Sequence, residues 1–232
     1  MRRACFADAV FAAADRSSEA LKSLRVISIA TLADSVIAFM RQAGLQRPDV
    51  VGSSMGGRLA LELARRGEAG AVVSLDPGGF WNPAEKAIFE TSIAASIRLV
   101  RTLQPVMPAI TASSLGRTLL FSQLSARPWR LSPQPTLDEM RDYVRATRFD
   151  ELLHSLAHGS EQEGMPHPRS HPLVIGWGRQ DRVCFPGQSR KATALFPHAQ
   201  LHWFNRCGHF PHWDQPEETV DLILSVTGSA SS

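Results

Sequence analysis

One short stretch, Gly52-Ser53-Ser54-Met55-Gly56, limits what this chain can fold into more than any other. Before it, Pro48-Asp49-Val50-Val51 reads as a short buried strand. After it, Gly56 to Arg66 reads as a helix that Gly67 can end. A chain that passes from strand to helix in so few residues brings the two backbones close together. Only small side chains fit beside Ser54, and Gly57 adds further room. Such a turn lifts the serine hydroxyl to the carboxyl edge of a sheet. It also aims the backbone N–H of Met55 at a developing oxyanion. The same residues could serve a packing turn alone, but the flanking strand and helix favour the nucleophile.

Ala71-Val72-Val73-Ser74-Leu75 reads as a second buried strand, closed by Asp76-Pro77-Gly78-Gly79. Strand, helix and strand at this spacing argue for a parallel sheet. Pro172 to Gly178 and Gln200 to Phe204 read as later strands, Gln215 to Val226 as a closing helix, and the last six residues as frayed. Between the two strand groups, helical stretches are expected at Pro83 to Leu103, Ser113 to Leu124 and Leu137 to Ala157, punctuated by prolines. This part reads as a helical lid inserted between sheet strands. Upstream, Thr31 is the expected N-cap of a helix carrying Leu32, Val36, Phe39 and Met40 to Gly44. Residues 1–24 are alanine-rich, with no clear strand. The expected fold is α/β, a mostly parallel sheet flanked by helices. Its parts are an N-terminal core over residues 1–79, a lid over 80–168 and a C-terminal core over 169–232.

A serine nucleophile needs a base, and the base needs an orienting acid. Asp181 follows the strand ending at Trp177-Gly178, and His209 follows the strand ending at Phe204. Both stand where ligands meet open α/β sheets, and both follow Ser54 in the order Ser, Asp, His. Asp181 could instead be a loop acid paired with Arg179 or Arg182. Asp76 is the rival acid, otherwise a cap for the turn before Gly78, and His212 is the rival base. Among the eight histidines, His154/His158, His167/His171 and His198/His202 share i, i+4 spacing, but no pair encloses a Glu in an H-E-x-x-H pattern. No metal and no organic cofactor are therefore expected.

The 232 residues, 44% hydrophobic and 20% charged, suit a globular protein with a sizeable core. The net charge of +3 is scattered, as at Arg65, Arg66, Arg127 and Arg130, so nucleic acid is not an expected partner. Three cysteines without repeated spacing point to reduced thiols in the cytoplasm. No apolar run is long enough for a membrane span, and Asp8 and Asp15 interrupt what would be a signal peptide.

Together Gly52-Ser53-Ser54-Met55-Gly56-Gly57, Gly176-Trp177-Gly178-Arg179-Gln180-Asp181 and Cys207-Gly208-His209-Phe210-Pro211-His212-Trp213 resemble the α/β-hydrolase family, over about Ile29 to Leu224. The resemblance implies Ser54 as nucleophile, His209 as base and Asp181 as acid. It also implies a lid between the family's sixth and seventh strands. In that family four strands precede the elbow strand, and a His-Gly motif after the third supplies a second oxyanion N–H. Here 53 residues precede Ser54 and none forms His-Gly; His158-Gly159 falls later. The N-terminal part of the sheet is thus expected to be missing or replaced, as by a mis-assigned start or a truncated gene. The uncovered edge invites pairing with another chain, which puts a homo-oligomer among the expected partners.

An ester is the expected substrate, with an apolar acyl or aromatic portion held by Phe80, Trp81 and Trp129, and further by Phe89 and Phe121. Gly-His-Phe-Pro-His-Trp at 208–213 and Ser-Met-Gly-Gly at 54–57 also resemble hydrolases that cleave carbon–carbon bonds of ring-fission products. Haloperoxidases and acyltransferases share the scaffold. A non-catalytic, ligand-binding remnant is the alternative from another class.

Overall fold

Short apolar runs become the strands of one parallel sheet. The computed structural model describes residues 5–6, 27–145 and 148–228. The strands are β1 (Cys5–Phe6), β2 (Val50–Ser53), β3 (Val72–Leu75), β4 (Leu173–Gly178) and β5 (Gln200–Phe204), side by side in chain order. Ser53 is level with Leu75, Leu75 with Gly176, and Gly178 with Phe204. That register brings the residues following each of these strands to one edge of the sheet.

β3 and β4 are buried along their whole length because both faces are covered. Alternate residues face opposite ways. Val72, Leu173, Ile175 and Trp177 join a core with α1 (Ile29–Gln42) and α2 (Met55–Arg65). Val51, Val73, Leu75 and Val174 join another with Ile223 and Val226 of α10 (Pro216–Thr227).

Between β3 and β4 the described residues form five α-helices: α3 (Pro83–Leu103), α4 (Met107–Ala112), α5 (Ser114–Phe121), α6 (Pro133–Arg145) and α7 (Phe149–His158). Asn82 and Glu85 close a capping box at the start of α3. Val100, Met107, Phe121, Leu131, Leu137 and Met140 give this insertion a small core of its own. Two short helices follow, α8 (Ser189–Leu195) and α9 (Pro211–Asp214).

Several expectations are corrected. Ser28, not Thr31, caps α1; Thr31 closes the capping box from the third helical position. The stretch from Leu137 to Ala157 is two helices, and the first begins earlier at Pro133, where proline suits a first turn. Residues 1–24 do contain a strand: Cys5 and Phe6 pair with Val50 and Val51, so the outer edge of β2 is not wholly bare. A two-residue pairing carries no periodicity to read. The rest of that segment lies outside the described residues, as do residues 229–232 of the tail expected to fray. Among the described residues, no helix is long and apolar enough to cross a membrane.

Candidate active site

Ser54 sits at φ 55°, ψ −116°, a conformation that non-glycine residues rarely adopt. Its neighbours hold it there. The Ser54 N–H donates to the Leu75 carbonyl at 2.8 Å, tying the turn to β3. A Cβ on Gly52 would meet the Gly56 carbonyl oxygen at 2.0 Å, and one on Gly57 would meet the Leu75 carbonyl oxygen at 2.9 Å. Gly52 and Gly57 are thus required by backbone approach.

Three side chains from three strand ends converge. His209 Nε2 lies 2.7 Å from Ser54 Oγ, and His209 Nδ1 lies 2.9 Å from Asp181 Oδ2. Asp181 Oδ1 accepts from the Val183 and Cys184 N–H groups at 2.7 and 3.0 Å. A carboxylate only accepts, so Nδ1–H donates to Asp181 and leaves Nε2 to accept from the serine hydroxyl. Asp181 and His209 are 3% and 2% exposed, so water does not compete for this chain of bonds. Met55 opens α2, and its N–H is among those a helix leaves without an intrahelical partner.

Asp76, the rival acid, is fully buried, and its Oδ1 accepts from the Gly178 N–H at 2.7 Å. Burial, then the neighbouring Asp181, push its carboxyl well above the usual range. His212 packs against the rings of Phe210 and Trp213.

The aromatic residues expected to line one acyl pocket do not all line one cleft. Phe80 is buried against Trp177 and Phe196, and Trp81 stacks on Phe89 at 4.5 Å. Both border a cleft of about 460 Å³ that also meets Glu161 and Lys191. Trp129 borders a different cleft, of about 430 Å³, with Arg127, Arg130 and Arg206. Neither cleft is lined by Ser54, Asp181 or His209. The core claims aromatic residues as readily as a ligand does.

One supporting residue carries no sequence signal. The Asp214 carboxylate accepts from Ser125 Oγ, the Ala126 N–H and the Gly208 N–H. It thereby fastens the loop before His209 to residues 125–126, and the His209 N–H donates to the Leu124 carbonyl at 2.8 Å. Among the described residues, two groups of side chains could gather around a cation. Asp181, Cys184 and His209 are close, but the carboxylate and imidazole are engaged as above, and burial pushes the thiol far up. Glu90, His154 and His158 form the other group.

A family model described as the alpha/beta hydrolase family matches residues 8–222. The chain belongs to the α/β hydrolase family. This α/β hydrolase is 26% identical over 196 residues to a 2-hydroxy-6-oxononadienedioate/2-hydroxy-6-oxononatrienedioate hydrolase of Comamonas testosteroni, covering 83% of this chain and 66% of that protein. It is 27% identical over 205 residues to the epoxide hydrolase EphH of Mycobacterium tuberculosis, covering 86% and 94%. A meta-cleavage product hydrolase from Pseudomonas fluorescens superposes with a TM-score of 0.63 at 16% identity, covering 90% of this chain and 75% of that one. That likeness concerns the fold. The chain spans 62–66% of the length of several of the curated relatives it matches.

Proposed function

We propose that this chain is a serine hydrolase that cleaves an ester or related carbonyl substrate through an acyl-enzyme. The observation that carries the reading is the continuous chain Ser54 Oγ, His209 Nε2, His209 Nδ1, Asp181 Oδ2, at 2.7 and 2.9 Å. His209 takes the proton as Ser54 attacks the carbonyl, and the Met55 N–H faces the oxyanion. His209 then protonates the leaving group. Water, activated by the same ring, releases the acyl group. Asp181 holds the ring in the required tautomer. The helical insertion acts as a lid over an apolar acyl or aromatic substrate. The reaction needs no metal or organic cofactor. A cytoplasmic location fits the sparse cysteines, of which Cys184 and Cys207 are free and buried.

A second reading is hydrolysis of a carbon–carbon bond in a ring-fission product. It is favoured by the names of several relatives, among them a 2-hydroxy-6-oxo-6-phenylhexa-2,4-dienoate hydrolase of Burkholderia cepacia at 26% identity. The triad serves either leaving group.

The test is turnover of p-nitrophenyl esters and of a 2-hydroxy-6-oxo-dienoate by the purified chain, beside Ser54→Ala. Serine-dependent turnover of the ester supports the first reading, and of the dienoate alone the second. Equal rates for chain and variant, with no fluorophosphonate labelling of Ser54, would leave a non-catalytic member of the family.

A further inference from the structure

His154 and His158 lie one turn apart on α7, and no acid stands between them in the sequence. The fold supplies one from a distance. Glu90 on α3, 68 residues before His158, places both carboxylate oxygens 3.0 Å from His158 Nε2. The two imidazoles lie against each other, tilted by 36°, with centroids 4.5 Å apart. One ligand atom from each of the three residues lies within 4.8 Å of the other two.

We propose that Glu90, His154 and His158 form a site for a borderline divalent d-block cation, zinc foremost, that clips α3 to α7. Two imidazoles and one carboxylate match the donor preference of such ions, whereas calcium and magnesium favour oxygen ligands throughout. The scaffold is set before the ion arrives. The i, i+4 spacing puts both rings on one helix face, and the pairing with Glu90 already fixes the third donor across the helix contact. The His158 and Glu90 side chains are 52% and 32% exposed, so an ion can enter without opening the core, and a water can complete its coordination. A plain Glu90–His158 ion pair accounts for two of the residues. It leaves the His154 ring, which lies against the His158 ring at 36° to it, without a role. A shared cation uses all three side chains.

The position gives the clip a consequence. α3 is the first helix of the insertion and α7 the last. Bridging them fastens the two ends of the helical segment.

Isothermal titration of the chelator-stripped full chain with zinc chloride tests this. The expected result is one zinc per chain with micromolar affinity. Loss of an outer partner alone costs metal sites about 10–100-fold, so removing a ligand, in His154→Gln or His158→Gln, should weaken binding by about 100-fold or more. Glu90→Gln should weaken it as well, and His167→Gln should not. Zinc should raise Tm in the parent chain and leave it unmoved in the double variant His154→Gln/His158→Gln. Circular dichroism without zinc shows that the variants are folded, and Glu90→Gln serves if a histidine variant is not. No saturable binding would overturn the proposal. So would binding that survives in both histidine variants, which would place zinc elsewhere.

Discussion

Asp76 and Asp181 stand past the ends of neighbouring strands, and only Asp181 reaches His209. Asp76 turns its Oδ1 to the Gly178 N–H, and burial favours its protonated form. A neutral amide should therefore replace it well. Asp76→Asn is expected to keep kcat within a factor of a few. Asp181→Asn should lower kcat by up to about 10⁴-fold, because the wrong imidazole tautomer is then favoured. Steady-state kinetics on a p-nitrophenyl ester compares the two; similar losses would mean that the acids share the role.

The same burial makes Asp76 a source of pH-dependent stability. Its carboxyl is raised in the folded chain, so between its unfolded and folded pKa the native state holds a proton that the unfolded chain has released. Its contribution is complete below the unfolded value and is lost as pH rises through the folded one. Asp76→Asn removes that slope. Urea unfolding should show the variant gaining on the parent chain as pH rises above about 4, the ordinary value of the carboxyl. A constant difference as pH rises would contradict the assignment.

Crowding at the elbow predicts a contrast between glycines. Gly52→Ala forces a methyl into the Gly56 carbonyl and should cost at least the upper part of the usual overpacking range, about 1–3 kcal/mol, along with activity. Gly67 has φ +74° but open space around it, so Gly67→Ala should cost only the left-handed backbone penalty, about 1–2 kcal/mol, and leave kcat unchanged. Denaturation and ester kinetics on both variants check this.

Asp214 is expected to matter although it touches neither Ser54 nor His209. Asp214→Ala leaves the Gly208 and Ala126 N–H groups without their acceptor, at about 1–3 kcal/mol for the buried Gly208 donor and less for the half-buried Ala126. Tm should fall. Loosening of the loop before His209 should lower kcat while KM changes little. Asp214→Asn keeps an acceptor and should recover part of both.

What could be read from the sequence was local. Ser54 announced itself because its glycines are needed within a few residues of it, and β2, β3, β4 and β5 because a buried strand is a short apolar run. Asp181 and His209 followed from their places after strands. The contacts that escaped notice join distant segments. Asp214 meets residues almost ninety positions earlier, and Glu90 meets His158 across the insertion. Neither leaves a periodic trace. β1 was too short to have one. Phe80 and Trp81 pack against other rings and border one cleft while Trp129 borders another, because an aromatic side chain in a sequence does not say which apolar surroundings it will find.

The strand order has a kinetic consequence. β2, α2 and β3 are adjacent in the chain and can assemble early, with Ser54 already on its turn. His209, 155 residues further on, arrives only after β4 and β5 have docked across the whole insertion. Closing so long a loop is slow relative to local pairing. During refolding, far-UV ellipticity should return first. Reactivity of Ser54 should return last, which makes the serine a chemical clock for the final step of folding.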